Sequence, residues 1–217
     1  MSEASLPSLS SQGASSPSGE DATPTPLTPR RREEALATLA AAFAQDPLML
    51  WMSRHPRYPY AAFDLVLDPY LHTGASWILQ NGAGVVLGVP PGRPKPKPSI
   101  RVRLVAPWLR AYGLRTLVRA AWYAYDSAKW PPATPHYYVY AVGVRPAFQG
   151  RGLGTRLMQP LLNRADAEQA PVYLESANER NLTFYRRLGF RIVRTTRAPR
   201  HGPPLWLLWR TPQPPSV

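Results

Sequence analysis

"AVGVRPAFQGRGLGTRL", Ala141 to Leu157, is the stretch whose reading decides the fold. A β-rich run, Tyr137 to Val144, leads into it, and Gly150, Gly152 and Gly154 then fall at alternate positions. Beyond them Leu153, Leu157, Leu161 and Ala165 recur every four residues, the spacing of one buried helix face, so a helix is expected over about 153–168. Glycine lets successive amide N–H groups converge without a Cβ in the way. The start of the helix adds partial positive charge at the same point. A strand, a glycine loop and a helix N-terminus together suit an anion, phosphate above all.

Three phosphate-binding designs compete. A P-loop needs Lys-Ser/Thr after its last glycine; here Thr155-Arg156 follows Gly154 and no lysine lies near. The dinucleotide fingerprint fits better at first sight. The next β-rich run, "VYLE", ends in Glu175, 23 residues beyond Gly152, close to the offset of a ribose-binding carboxylate. Yet its third glycine would fall at Thr155, and the five residues Arg145 to Gln149 are too many for its tight turn. Only 42 residues follow Glu175, too few for the rest of a doubly wound sheet.

The third design, Gln/Arg-x-x-Gly-x-Gly/Ala, is filled by "QGRGLG", with Gln149, Gly152 and Gly154 at the defining positions. Here the sequence resembles the GNAT superfamily of acyl-CoA-dependent N-acetyltransferases. "GVRP" before the loop looks like that family's strand-end V-x-P, and "NLTFYRRLGF", Asn181 to Phe190, looks like its Asn-x-x-Phe-Tyr-x-x-x-Gly-Phe segment. The resemblance implies that Gln149, Gly150, Arg151, Gly152, Leu153, Gly154 and Thr155 hold the pyrophosphate of acetyl-CoA, the co-substrate. It implies that backbone groups of Val142, Gly143 and Val144 pair with the pantetheine arm, a strand-edge mode of binding. It places Tyr185 as general acid, and Asn178 or Asn181 against the pantetheine amide; Asn178 also reads as a plain helix N-cap. "YLE", "RNLTFY", "GPPLWLLWR" and "AFAQDP" are further similar to the subgroup containing puromycin N-acetyltransferase. A tight turn without a ligand stays open for the loop on its own, and a packed aromatic for Tyr185.

Glu175 stands at the end of a strand, where open α/β sheets place their ligands. It is the candidate to take a proton from the amine or to bind an ammonium; a salt bridge to one of many arginines is the alternative. The chain has no cysteine, so an acetyl-cysteine enzyme, disulfides and thiolate metal sites are excluded. The four histidines lie far apart, without metal-ligand spacing, and no metal is expected. Direct transfer from thioester to amine is then the economical route.

The rest of the 217 residues is organised around this region. Residues 1–27, rich in Ser, Pro, Ala, Gly and Thr, read as a disordered tail. A helix is expected from Thr28, with Pro29 at its first position and Leu36, Leu39 and Phe43 as its apolar stripe, stopped by Pro47. A second helical stretch covers about 60–71. "SWILQNGAGVVLGV" reads as a hairpin turning at Asn81-Gly82. "PPGRPKPKP", Pro90 to Pro98, is a basic loop, and residues 104–130 read as an amphipathic helix interrupted at Pro107 and Gly113. After the glycine helix come a strand (171–176), a short helix (about 179–188) and two strands (190–195 and 204–209).

The resulting expectation is a mixed α/β GNAT-type fold. Its sheet is mostly antiparallel, splayed between strands 137–144 and 171–176, with helices on both faces. One domain spans 28–210, and 211–217 forms a flexible tail. The net charge is +13, and 23 of 26 basic residues are arginine. That charge admits a nucleic-acid-binding protein as a reading of another class, with support in "GRPKPKPSIRVR", but no nucleic-acid motif accompanies it. A non-catalytic acyl-CoA sensor is a third reading. No apolar run is long enough for a transmembrane helix and no secretory start is seen, so a cytoplasmic protein without membrane or nucleic-acid partners is expected. The leading functional expectation is transfer of acetyl from acetyl-CoA to a primary amine of a small molecule, an antibiotic-like or other xenobiotic amine among them. Acetylation of a protein amino terminus or lysine is the runner-up.

Overall fold

A computed structural model of the chain describes residues 22–96 and 102–214, with backbone alone at 102–105. Seven strands form one sheet: β1 (Pro24–Pro26), β2 (Trp77–Leu79), β3 (Gly84–Val89), β4 (Tyr137–Val144), β5 (Val172–Ser176), β6 (Arg191–Arg197) and β7 (Pro204–Arg210). Their order is β1-β2-β3-β4-β5-β7-β6, and every pairing is antiparallel except β4 with β5. The hairpin at Asn81-Gly82 is present, with Gly82 at φ 66 and the Asn81 side chain accepting from the Ala83 N–H.

The parallel junction is short. Tyr137, Tyr138 and Val139 pair with Val172, Tyr173 and Leu174, and there the ladder ends. On its other side β4 stays paired with β3 through Val144, but with a register shift: Leu87 faces Ala141 while Gly88 faces Val139. Tyr140 is the extra residue. A bulge of this kind bends its strand, and it sits where β4 leaves β5. The expected splay is thus present, and the bulge is its local cause.

Helices cover both faces. On one lies α6 (Leu153–Ala167), whose Leu153, Leu157, Leu161 and Ala165 are all buried, joined by Met158 and Leu162. They pack on Tyr137, Val139 and Leu174, and each such leucine stabilises the fold by about 1.5–3 kcal/mol. The short α7 (Leu182–Arg187) joins this side through Leu182 and Tyr185. The opposite face carries α1 (Arg32–Ala42), α2 (Pro47–Met52), α3 (Tyr58–Asp64) and α4 (Leu67–Tyr70), with Leu36, Leu39, Phe63 and Tyr70 packed on Tyr138 and Tyr173. The long α5 (Val102–Ser127) runs unbroken past Pro107 and is broken at Gly113, at φ 76 and ψ 162.

Three boundaries differ from expectation. Residues 24–26 are strand, not tail: β1 pairs with β2, flanked by buried Ala22 and Leu27. Proline-rich strands are tolerated at a sheet edge, where a missing N–H costs no ladder bond; residues 1–21 lie outside the described residues. Pro47 does not stop the first helix, which ends at Ala42 with Phe43 as its C-cap; it opens α2, with Asp46 as N-cap accepting from the Leu48 and Met49 N–H groups. Past β7, the Gln213 N–H donates to Asp166 on α6, so the chain is held there rather than released at residue 211. Residues 215–217 lie outside the described residues.

Candidate active site

Two of the loop's glycines are there for backbone shape. Gly150 and Gly152 sit at φ 76 and 74, and a Cβ on either would meet nothing within 4 Å. Left-handed backbone disfavours other residues, while the space above the loop is open. Gly154 serves packing instead: a Cβ there would come 3.2 Å from the Phe184 ring, so its absence lets α7 lie against the first turn of α6. Gly152 is the N-cap of α6, whose first turn holds no acidic residue to neutralise the helix end. Arg151 and Thr155 are exposed and Leu153 is buried. Gln149 turns back, its amide donating to the Val144 carbonyl at 2.8 Å. The loop therefore fits an anionic group by its open face and its positive helix end.

From this loop β4 runs back to the gap. Val142, Gly143 and Val144 pair with Val86, Val85 and Gly84 of β3, while β5 has already diverged on their other side. Gly143 is needed for a close approach, because a Cβ would lie 2.8 Å from Ala42 and 3.2 Å from the Phe43 ring. α1 is thereby pressed against the open strand.

A cavity opens at the divergence, and Val142, Glu175, Ser176, Asn181, Tyr185 and Asp46 are among its walls. Tyr185 comes from the α6 face, buried beside Phe184 and Phe190 with ring centroids 5.0 and 5.9 Å away. Burial, with a lesser contribution from Asp46, pushes its hydroxyl well above the ordinary tyrosine range. Glu175 belongs to the opposite face. Its carboxylate is 7% exposed, accepting from the Tyr123 hydroxyl at 3.3 Å and the Tyr173 hydroxyl at 3.2 Å, with the Lys95 ammonium 3.8 Å away. Burial raises the Glu175 carboxyl above its usual range, and Lys95 and the two hydroxyls only partly oppose this. Burial likewise lowers the Lys95 ammonium, with Glu175 opposing. Tyr140, half-buried near the same carboxylate, is pushed up to about 12 by desolvation and by the Glu175 charge.

Of the residues singled out in the sequence, Val142, Glu175, Asn181 and Tyr185 are brought to one cavity. Glycines 150, 152 and 154, with Arg151 and Thr155, follow the C-terminal end of β4 beyond Val142 and do not line the cavity. Asn178 caps a short turn, its side chain accepting from the Arg180 N–H at 3.2 Å. His136 packs edge-on between Tyr173 and Trp209. Asp46, Tyr123, Tyr140 and Lys95 were not foreseen as site residues. Only Asp46 carried a local signal, as the residue before a proline that opens a helix. Among the described residues no cluster of His, Asp and Glu could hold a metal, and no helix is long and apolar enough to cross a membrane.

Residues 102–190 match the model of the Acetyltransferase (GNAT) family. The chain is 40% identical over 57 residues to the N-alpha-acetyltransferase RimI of Mycobacterium tuberculosis, a match covering 26% of this chain and 36% of that protein. It thus spans about a third of that relative's length, and less of the next two, 22% and 20%. A structure described as histone acetyltransferase HPA2 and related acetyltransferase from Corynebacterium glutamicum superposes with a TM-score of 0.65 at 25% identity, covering 90% of this chain and 98% of that one. The polyamine N-acetyltransferase of Drosophila melanogaster shares the fold at a TM-score of 0.56 and 21% identity, over 87% of this chain and 99% of that one. The splayed sheet and the glycine loop at the start of α6 give the chain a GNAT-type fold, and its residues 102–190 are similar to the GNAT acetyltransferase family.

Proposed function

We propose that the protein transfers acetyl from acetyl-CoA directly to a primary amine of a small molecule. The observation that carries this is the meeting of Glu175 and Tyr185, from opposite faces of the sheet, around one cavity where β4 and β5 part. Gly150 to Thr155 would take the pyrophosphate at the open loop and the helix end. The free edge of Val142 to Val144 would pair with the pantetheine arm, with Asn181 at the cavity wall and the Asn178 amide near the turn.

The chemistry asks for a neutral amine and a proton for the leaving sulfur. Glu175, held by two hydroxyls and raised by burial, takes the proton of the incoming ammonium. The amine nitrogen bonds to the acetyl carbon, the carbon–sulfur bond breaks, and the Tyr185 hydroxyl protonates the departing thiolate; the second proton shed by the nitrogen restores the tyrosinate, and Glu175 releases its proton to solvent. Its raised pKa keeps that hydroxyl protonated until then. The absence of cysteine supports transfer without a thioester on the enzyme.

The M. tuberculosis relative named for N-alpha acetylation gives weight to a second reading, in which the acceptor is the amino terminus or a lysine of a protein. The polyamine enzyme's fold and the likeness of "YLE" and "RNLTFY" to the puromycin-modifying subgroup weigh on the small-molecule side. The deciding experiment follows thiol release from acetyl-CoA with a panel of alkylamines, arylamines and peptides. Release with small amines is expected. Release with peptides alone gives the runner-up, and a protein that does not bind acetyl-CoA overturns both.

A further inference from the structure

Lys95 is not a surface lysine that happens to lie near a glutamate. Its ammonium rests 4.1 Å from the centroid of the Tyr138 ring and 3.8 Å from Glu175 Oε1. Tyr138 is stacked on Tyr173, ring centroids 6.0 Å apart and 26° between planes. The Tyr173 and Tyr123 hydroxyls both donate to the carboxylate, which fixes its two oxygens. The result is a box with an aromatic floor, a buried carboxylate wall and two tyrosines that orient the wall. An aromatic face and a desolvated carboxylate select a cation, and the face adds to the attraction without satisfying any hydrogen bond.

The box is assembled on β4, β5 and α5, whereas its occupant arrives from elsewhere. Lys95 comes from the loop after β3, between Pro94 and Pro96, on a stem left 30% exposed. What enters is an ammonium at the end of an unbranched methylene chain, and the Glu175 that receives it also lines the cavity shared with Tyr185.

We infer that Tyr138, Tyr173, Tyr123 and Glu175 form a subsite for a primary n-alkylammonium group of the acceptor, and that Lys95 is its tethered occupant, exchanged for the acceptor when the site is used. This rests on the reading of Glu175 as the acceptor side of the reaction and narrows the amine from any primary amine to an alkylamine. A neutral arylamine offers no charge to the carboxylate and is too broad to follow the path of a lysine stem. The lysine lies in the site because the site suits a lysine-like group.

The inference predicts a difference between emptying the box and merely discharging its occupant. Lys95→Ala removes the stem and the charge; Lys95→Met removes the charge and keeps a flexible stem of similar reach. n-Butylammonium chloride is titrated calorimetrically into each protein and into the wild type, without acetyl-CoA, after circular dichroism confirms folding. Lys95→Ala is expected to bind n-butylammonium about tenfold more tightly than the wild type, the scale of a desolvated cation–π and carboxylate contact. Lys95→Met should stay near the wild type, and Glu175→Gln in the Lys95→Ala background should abolish the gain. If Lys95→Ala fails to fold, Lys95→Ser removes the same stem and takes its place. Equal affinity in Lys95→Ala and wild type, or equal gains in Ala and Met variants, overturns the subsite. The outcome is separable from the acetyl-transfer reading: tighter amine binding without thiol release keeps the subsite and removes the reaction, and thiol release without tighter binding does the reverse.

Discussion

The two ends of the β4–β5 gap are made of different material. The loop end is backbone: two glycines in left-handed conformation, a helix N-terminus and an unpaired strand edge, all within residues 142–155. The cavity end is side chain: Asp46, Lys95, Tyr123, Tyr138, Glu175 and Tyr185, drawn from segments spread over 140 residues. A backbone site needs only local conformation and tolerates any side chain that does not intrude. A side-chain site needs the whole topology to be right before its groups meet. The proposed cofactor end should therefore respond to changes of backbone conformation, and the proposed acceptor end to changes of functional group.

Tyr185→Phe gives the largest expected effect. The ring keeps its packing on Phe184 and Phe190 and loses only the hydroxyl. Turnover should fall by about a hundredfold, the lower range for removal of a general acid, with the affinity for acetyl-CoA held within about twofold. Steady-state kinetics with a fixed amine and equilibrium binding of acetyl-CoA measure the two quantities. Loss of affinity in parallel with turnover would erase the division between the two ends.

The reverse pattern is expected at Gly152. Valine has open space there, so no clash offsets the argument, but its β-branched side chain resists a φ of 74. The strain, about 1–2 kcal/mol, is relieved by moving the loop's amides off their common point. Affinity for acetyl-CoA should drop about tenfold while turnover at saturating co-substrate changes little. Unaltered affinity would mean that the loop's shape is a connection between strand and helix and nothing more.

What could be read in advance follows the same division. β4, α6, β5 and β7 were delimited to within a residue or two because each has its own periodicity and its own punctuation in the sequence. The glycine loop was legible because its information is local. β1 was missed because Pro24–Pro26 is a strand only by virtue of β2 beside it, and proline-rich composition argues for tail. The role of Pro47 was misread because a proline after a helix also suits the first turn of the next, and Asp46 decides between them by capping it. Glu175 drew attention by standing at a strand end, but its partners could not. Tyr123 is 52 residues away in sequence and Lys95 is 80, and neither has a pattern that points to the carboxylate. The bulge at Tyr140, which lets β4 follow β3 while it leaves β5, has no sequence signature either.

The smallest expected effect tests the carboxylate itself. Glu175 is raised by burial above the ordinary carboxylate range, against the pull of Lys95, Tyr173 and Tyr123 and with Asp126 adding to the rise. As a base it works only when ionised, so the amine-dependent rate should fall as pH drops through that raised value. The acid limb should vanish in Glu175→Gln, which keeps the shape and offers an oxygen to one tyrosine. Stability should move the other way. A carboxyl that binds its proton more tightly when folded favours the folded state at low pH, and this contribution is lost as pH rises through the folded-state value. The melting temperature of Glu175→Gln relative to the wild type should therefore climb across that window, reaching its plateau above it. A wild-type acid limb retained by the variant would remove Glu175 from proton transfer. A rate change without the shift in relative stability would instead leave the base in place and show that its carboxylate is better solvated than its burial implies.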